Sequence, residues 1–160
     1  MDGQQEIAAM NVKIKSVVTM RMTAESETHA RALITSRDLV SIIDEPLARE
    51  GTNQGFTPTE TVLSSLMGCT NVVGHRLAHR MGIVLDNMHI ALVCQLDRRG
   101  AALETEVAVP FAEIHMDVHV KTTASPAQIE TLKIELAKFC PIAVMLKASG
   151  TRMTETWHID

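Results

Sequence analysis

The sequence predicts an α+β fold, on three observations. Ile114, Met116, Val118 and Val120 alternate with His115, Asp117, His119 and Lys121, the period of a half-buried strand. Pro58 and the pair Ser125-Pro126 each open a run in which apolar residues recur every three or four positions, as on one face of a helix. The runs follow in the order strands, helices, two long strands, helices and a closing strand, the grouping of an α+β chain.

Residues 1–10, with Asp2, Gln4, Gln5 and Glu6 and no apolar stretch, read as a disordered tail that carries no secretory signal. Val12, Ile14, Val18, Met20 and Met22 recur at even spacing and predict a half-buried first strand. Ala30 to Ile43 predicts two more strands, with a turn at Ser36-Arg37-Asp38. Residues 47–57, rich in Gly, Asn and Gln, read as a loop. From Pro58 a helix presents Val62, Leu63, Leu66 and Met67 on one face. Gly68 interrupts that run, so a second helix is predicted over 69–81, with Val72, Val73, Leu77 and Ala78 inward and Gly82 as its stop. Strands are predicted over 88–97 and 111–122. Cys94 shares the face of Ile90, Leu92 and Leu96 in the first of these, which predicts a buried strand residue. Ser125 is the expected cap of a helix to Phe139. A short helix from Pro141 and a strand over 151–159 complete the chain, which has no internal repeat.

Composition narrows the class. At 160 residues and 46% hydrophobic, the chain can bury one good core, so 1–160 reads as a single domain. Aromatics make up only 2% while methionine reaches 10 residues, so Val, Ile, Leu, Met and Ala must build that core. A net charge of −4 with dispersed basic residues argues against nucleic acid as a partner. No apolar run approaches the ~20 residues that span a bilayer. Three cysteines, an odd number, make no structural disulfide framework, which suggests free thiols in a reducing, cytoplasmic setting.

Two of those cysteines carry the chemistry. Cys69 follows Gly68, and Cys140 precedes Pro141, so both are predicted at helix starts. There, the backbone N–H groups and the positive end of the helix dipole lower a thiol pKa and favour the reactive thiolate. Cysteines are more often buried and inert. The repeated placement at two helix starts favours reactivity here.

The segments around them resemble a known family. Asp44-Glu45-Pro46, Gly55-Phe56-Thr57-Pro58-Thr59-Glu60-Thr61-Val62-Leu63 and Leu66-Met67-Gly68-Cys69-Thr70 look like the signature of the OsmC/Ohr superfamily, the osmotically inducible and organic-hydroperoxide-resistance proteins. Ala137-Lys138-Phe139-Cys140-Pro141-Ile142 is similar to the segment of its second cysteine, and Thr154-Glu155-Thr156-Trp157-His158-Ile159 to its last strand. The resemblance runs from about Val12 onward and rests most firmly on the two cysteine segments. Asp-Glu-Pro and the Cys-Thr pair are closest to the OsmC-like branch.

That resemblance implies antiparallel sheets wrapped around buried central helices in an intertwined homodimer with sites at the subunit interface. It implies a thiol-dependent peroxidase in which Cys69 is peroxidatic and Cys140 resolving, with an organic hydroperoxide as substrate and a dithiol, the lipoyl type among the options, as reductant. An active-site arginine is implied as well: Arg37 is the candidate and Arg31 the alternative. Peroxidase-branch members carry Glu directly after the helix-opening proline. Here that position is Thr59, and Glu60, the candidate carboxylate, lies about 100° further round the helix. The competing reading is a non-catalytic stress or ligand-binding protein of the same fold.

Other groupings point away from cofactors and metals. His75 and His79 share a helix face, but Arg76 and Arg80 repel a cation there, and a polar face is the expectation. His115 and His119 lie about 13 Å apart along a strand, too far to chelate one ion between them. Ser64-Ser65 lacks the elbow of a hydrolase. No phosphate-binding glycine loop is present, so no cofactor is implied.

Overall fold

A computed structural model describes residues 16–160. They form β1 (Thr23–Ser26), β2 (Ala32–Ser36), β3 (Leu39–Ile43), α1 (Pro58–Arg80), β4 (Asp86–Leu96), β5 (Phe111–Lys121), α2 (Pro126–Phe139), α3 (Pro141–Ala148) and β6 (Arg152–Ile159). The chain divides between Gly55 and Phe56 into two compact units.

In the first unit, β1, β2 and β3 make an antiparallel meander. The turn expected at Ser36-Arg37-Asp38 closes the β2–β3 hairpin, with Ser36 opposite Leu39 and Arg37 in the left-handed region at φ 57°. The strand expected from the even spacing begins later than the pattern suggests. Val12, Ile14 and residues 1–10 lie outside the described residues, while Val18, Met20 and Met22 precede β1 and are exposed. Their alternation marks an apolar row that stays exposed among the described residues.

After β3 the chain loops around Asp44, which is fully buried. Its carboxylate accepts the Thr52 hydroxyl at 2.5 Å, the Gln54 N–H at 3.0 Å, the Thr52 N–H at 3.1 Å and the Glu45 N–H at 2.8 Å. These bonds, led by the one from the Thr52 hydroxyl and then the Gln54 amide, hold the Asp44 carboxyl down at about 2. The loop also contains a single 3₁₀ turn, Leu47–Arg49. It closes so tightly that a Cβ on Gly51 would meet the Glu45 carbonyl oxygen at 1.8 Å, and one on Gly55 the Ile42 carbonyl oxygen at 2.3 Å.

In the second unit, the two helices expected on either side of Gly68 are one. The helix Pro58–Arg80 has 23 residues and starts with a capping box. Glu60 N–H donates to Thr57 Oγ1 at 3.2 Å, and Thr57 N–H donates to the Glu60 carboxylate at 2.8 Å. A mid-helix glycine costs about 1 kcal/mol relative to alanine, too little to break this helix against its packing. Leu66 and Thr70 flank Gly68 at i, i+4 spacing, and both are buried on one face that continues through Gly74, Leu77 and Ala78. Val72, expected inward, lies about 200° round from Thr70 and is exposed. The helix ends where expected, with Met81 as C-cap and Gly82 at φ +69°.

Strands β4 and β5 pair antiparallel, and β6 adds to the other side of β5. The β5–β6 pair runs parallel, which corrects the expectation of antiparallel sheets throughout. A parallel neighbour needs a crossover, and α2 and α3 supply it. Ile114, Met116, Val118 and Val120 of β5 alternate inward as predicted and join Leu66 and Leu77 of α1, Ile129, Leu132 and Leu136 of α2, and Ala143 and Leu146 of α3 in one core. Full burial of each such side chain is worth roughly 1.5–3 kcal/mol.

A candidate thiol site

Three helices bring Cys69 and Cys140 together in the second unit. The predicted start of α3 holds. Ser125 caps α2 through a box with Gln128, α2 ends at Phe139, and Cys140 is the N-cap of α3. The Cys140 Sγ accepts the Ala143 N–H at 3.4 Å. Pro141 follows as the first helical residue, where its missing N–H costs nothing.

The position of Cys69 differs from the expectation. It lies about three turns inside α1, away from any helix terminus, so the dipole and free N–H groups of a helix start do not act on it. Cys69 is half-buried and packs against the core that contains Cys140.

The two thiols are neighbours in that core. Burial pushes the Cys140 thiol up to about 11, with a further upward contribution from its hydrogen bond to the Cys69 side chain, against a smaller downward pull from the Ala143 amide. Cys140 is 1% exposed and is held as the neutral thiol. A cavity of about 50 Å³ opens beside its sulfur, lined by Thr70, Met116, Leu136, Ala143, Lys147 and Met153 among others. Thr70, next to Cys69, points its hydroxyl at Met116 Sδ, 4.0 Å away.

The remaining candidates make contacts of their own. The Glu60 carboxylate serves the capping box at the start of α1. The Thr59 hydroxyl lies 3.3 Å from that of Thr57. Arg37 and Arg31 belong to the first unit. Arg37 occupies the exposed β2–β3 turn. Arg31 is largely covered; it donates from Nη1 to Gln54 Oε1 at 2.8 Å and pairs through Nε with Glu27 at 2.8 Å. Cys94, on β4, is partly buried, and burial raises its thiol. Ser64 and Ser65 both donate to the Thr61 carbonyl, which leaves them as helix-surface hydroxyls. His75 and His79 are exposed on α1, with His75 Nδ1 2.8 Å from the Asn71 carbonyl oxygen.

Residues 51–156 match the family model of the OsmC-like proteins. The chain belongs to the OsmC-like protein family. This covers both cysteine segments, α1, β4, β5, the α2–α3 crossover and the first part of β6. The fold agrees. An OsmC-like protein from Mycoplasma pneumoniae superposes with a TM-score of 0.74 at 17% identity, over 89% of this chain and 97% of that one. The organic hydroperoxide resistance protein OhrB of Bacillus subtilis gives 0.59 at 18%, over 88% and 98%. A Legionella pneumophila organic hydroperoxide resistance protein gives 0.62 at 14%, over 91% and 100%. Among curated proteins, none matches the sequence. No described helix of this OsmC-like chain is long and apolar enough to cross a membrane.

Proposed function

We propose that this OsmC-like protein is a thiol-dependent peroxidase that reduces organic hydroperoxides in the cytoplasm. The observation that carries the reading is the proximity of two thiols of unlike setting, half-buried Cys69 and buried Cys140, in one core. In the first step the Cys69 thiolate attacks the terminal oxygen of the hydroperoxide. The O–O bond breaks, the alkoxide leaves and takes a proton as the alcohol, and Cys69 becomes a sulfenic acid. Cys140 then attacks the Cys69 sulfur, which forms the disulfide and releases water. A dithiol of small-molecule or lipoyl type resets the pair by two exchange steps and is itself oxidised to a disulfide. The names of the B. subtilis and L. pneumophila neighbours support the substrate class. The homodimer belongs to this proposal, because the first unit leaves Val18, Met20, Met22, Leu39 and Val40 exposed.

Activation of Cys69 in this scheme falls to a cation, since the helix start is absent. Arg37 is the arginine proposed for that role, with Arg31 as the alternative. Glu60 is proposed to orient that arginine. The mid-helix position of Cys69 also favours the second reading, a non-catalytic member of the family that binds a ligand and turns over peroxide slowly.

Turnover with a dithiol separates the two. The peroxidase reading expects an alkyl hydroperoxide to be consumed faster than hydrogen peroxide, with no turnover in Cys69→Ser. In Cys140→Ser, recycling stops: a first equivalent of hydroperoxide takes Cys69 to the sulfenic acid and a second takes it to the sulfinic acid, seen by mass spectrometry. Unchanged turnover in Cys69→Ser would refute it.

A further inference from the structure

Arg21, Thr23, Thr35 and Arg37 of the first unit line one open cleft of about 200 Å³, with Met22 as its apolar wall. The β1–β2 register brings them there. Thr23 lies opposite Thr35, and the same register carried two positions further sets Arg21 level with Arg37. Like charges level with one another across two strands repel and cost stability. Four other arginines are each matched by an acid: Arg31 by Glu27, Arg49 by Glu45, Arg99 by Asp97 and Arg152 by Glu113. Arg21 and Arg37 have no ion-pair or hydrogen-bond partner among the described residues, and neither do the hydroxyls of Thr23 and Thr35. Glu25, two residues along β1, and Asp38, beside Arg37, pair with neither guanidinium. The cleft thus gathers two cations and two hydroxyls that nothing in the unit satisfies.

We propose that this cleft binds the phosphate group of a small phosphate monoester. Each guanidinium offers a planar fork of donors that fits phosphate or carboxylate bidentately, and each threonine adds an O–H donor. The number of donors decides between the two anions. A phosphate monoester has three free oxygens arranged around a tetrahedron, enough to accept from both forks and from the hydroxyls, whereas a carboxylate has two in one plane. Its charge of about −1.5 to −2 at neutral pH also matches the two cations. No carboxylate lines the cleft to oppose it, and Met22 offers the organic part of the ester an apolar contact. The site lies wholly in the first unit and does not rest on the peroxidase reading, and its test reads binding rather than turnover, so either can fail alone.

Phenyl phosphate titrated into the whole protein at low salt, followed by ligand-observed proton NMR, tests the site. Saturable binding with a Kd of about a millimolar or tighter is expected at neutral pH. Arg21→Gln and Arg37→Gln should each weaken it about tenfold or more, the loss of a charged hydrogen bond, and Thr23→Val/Thr35→Val by about fivefold. Arg37→Lys, which keeps the charge and loses the fork, should recover only part of the affinity. Arg98→Gln removes the same charge from the exposed loop after β4 and should leave binding unchanged. Benzoate should bind about tenfold more weakly than phenyl phosphate, and phenyl phosphate itself should weaken below about pH 6, where it takes its second proton. No saturable binding, an equal loss in Arg98→Gln, equal affinity for benzoate, or capture by phosphatidate vesicles without binding of phenyl phosphate would each overturn the proposal. Circular dichroism of the variants checks that the fold is intact.

Discussion

The Cys140 sulfur accepts the Ala143 amide, neighbours Cys69 and sits in a buried joint between two helices. Its fold-raised pKa makes a signed prediction. The folded state favours the neutral thiol, so this group's contribution to stability is complete below the unfolded value of 9.0 and is lost as pH rises toward about 11. Denaturant midpoints of wild type should fall over that window more than those of Cys140→Ser, and Cys140 should resist iodoacetamide at pH 8 in the folded protein. Asp44 carries the opposite sign. Its carboxyl is held at about 2, so its contribution is present above the ordinary value of 3.8 and is lost as pH falls from there to about 2. Asp44→Asn should lower the thermal midpoint by several degrees at pH 7 and by much less at pH 2, read by calorimetry. Cys140 was legible as a cap because Pro141 states its own φ preference. The cleft shared by Arg21 and Arg37 was not, because it depends on the register of the β1–β2 pair.

At the scale of the element, Gly68 separates a broken helix from a continuous one. A Cβ there meets nothing within 4 Å, and its φ is not among the positive ones. Gly68→Ala should therefore stabilise α1 by about 1 kcal/mol, measured by urea denaturation. A destabilised variant would restore the two-helix reading. Gly51→Ala and Gly55→Ala should behave oppositely, since their new Cβ atoms strike backbone carbonyls, and a cost of about 2 kcal/mol or more is expected in the same assay. Caps and turns were readable here: Ser125-Pro126, Pro141, Gly82 and the Ser36-Arg37-Asp38 turn all sit where local chemistry puts them. Gly68 misled because a local weakness in propensity is outweighed by the buried Leu66–Thr70 face, and packing is not written at the glycine itself.

For the molecule as a whole, strand and helix order followed from periodicity, and the parallel β5–β6 pair did not, since pairing direction is fixed by the crossover rather than by either strand's pattern. The apolar row from Val18 to Met22 was read as a half-buried strand because spacing reports alternation and not what covers it; these residues precede β1 and are exposed. The homodimer reading predicts twice the chain mass in light scattering at micromolar concentration. Val18→Asp/Met20→Asp should shift that mass toward the monomer, because a charge in an apolar interface goes unpaired. A monomeric wild type would remove the dimer from the proposed mechanism without touching the thiol pair.

Because the Cys140 sulfur holds the first turn of α3, the disulfide proposed for the pair would have an address in the backbone. A disulfide sulfur is a poorer acceptor than a thiol in place, so the Ala143 N–H should lose its partner when the pair is oxidised. Isotope exchange at that single amide should then run faster in the oxidised protein than in the reduced one. The amides of Leu132 and Leu136 in α2, bonded within the helix, should exchange alike in both. Such a readout follows oxidation without any chromophore or label, one helical turn from the chemistry.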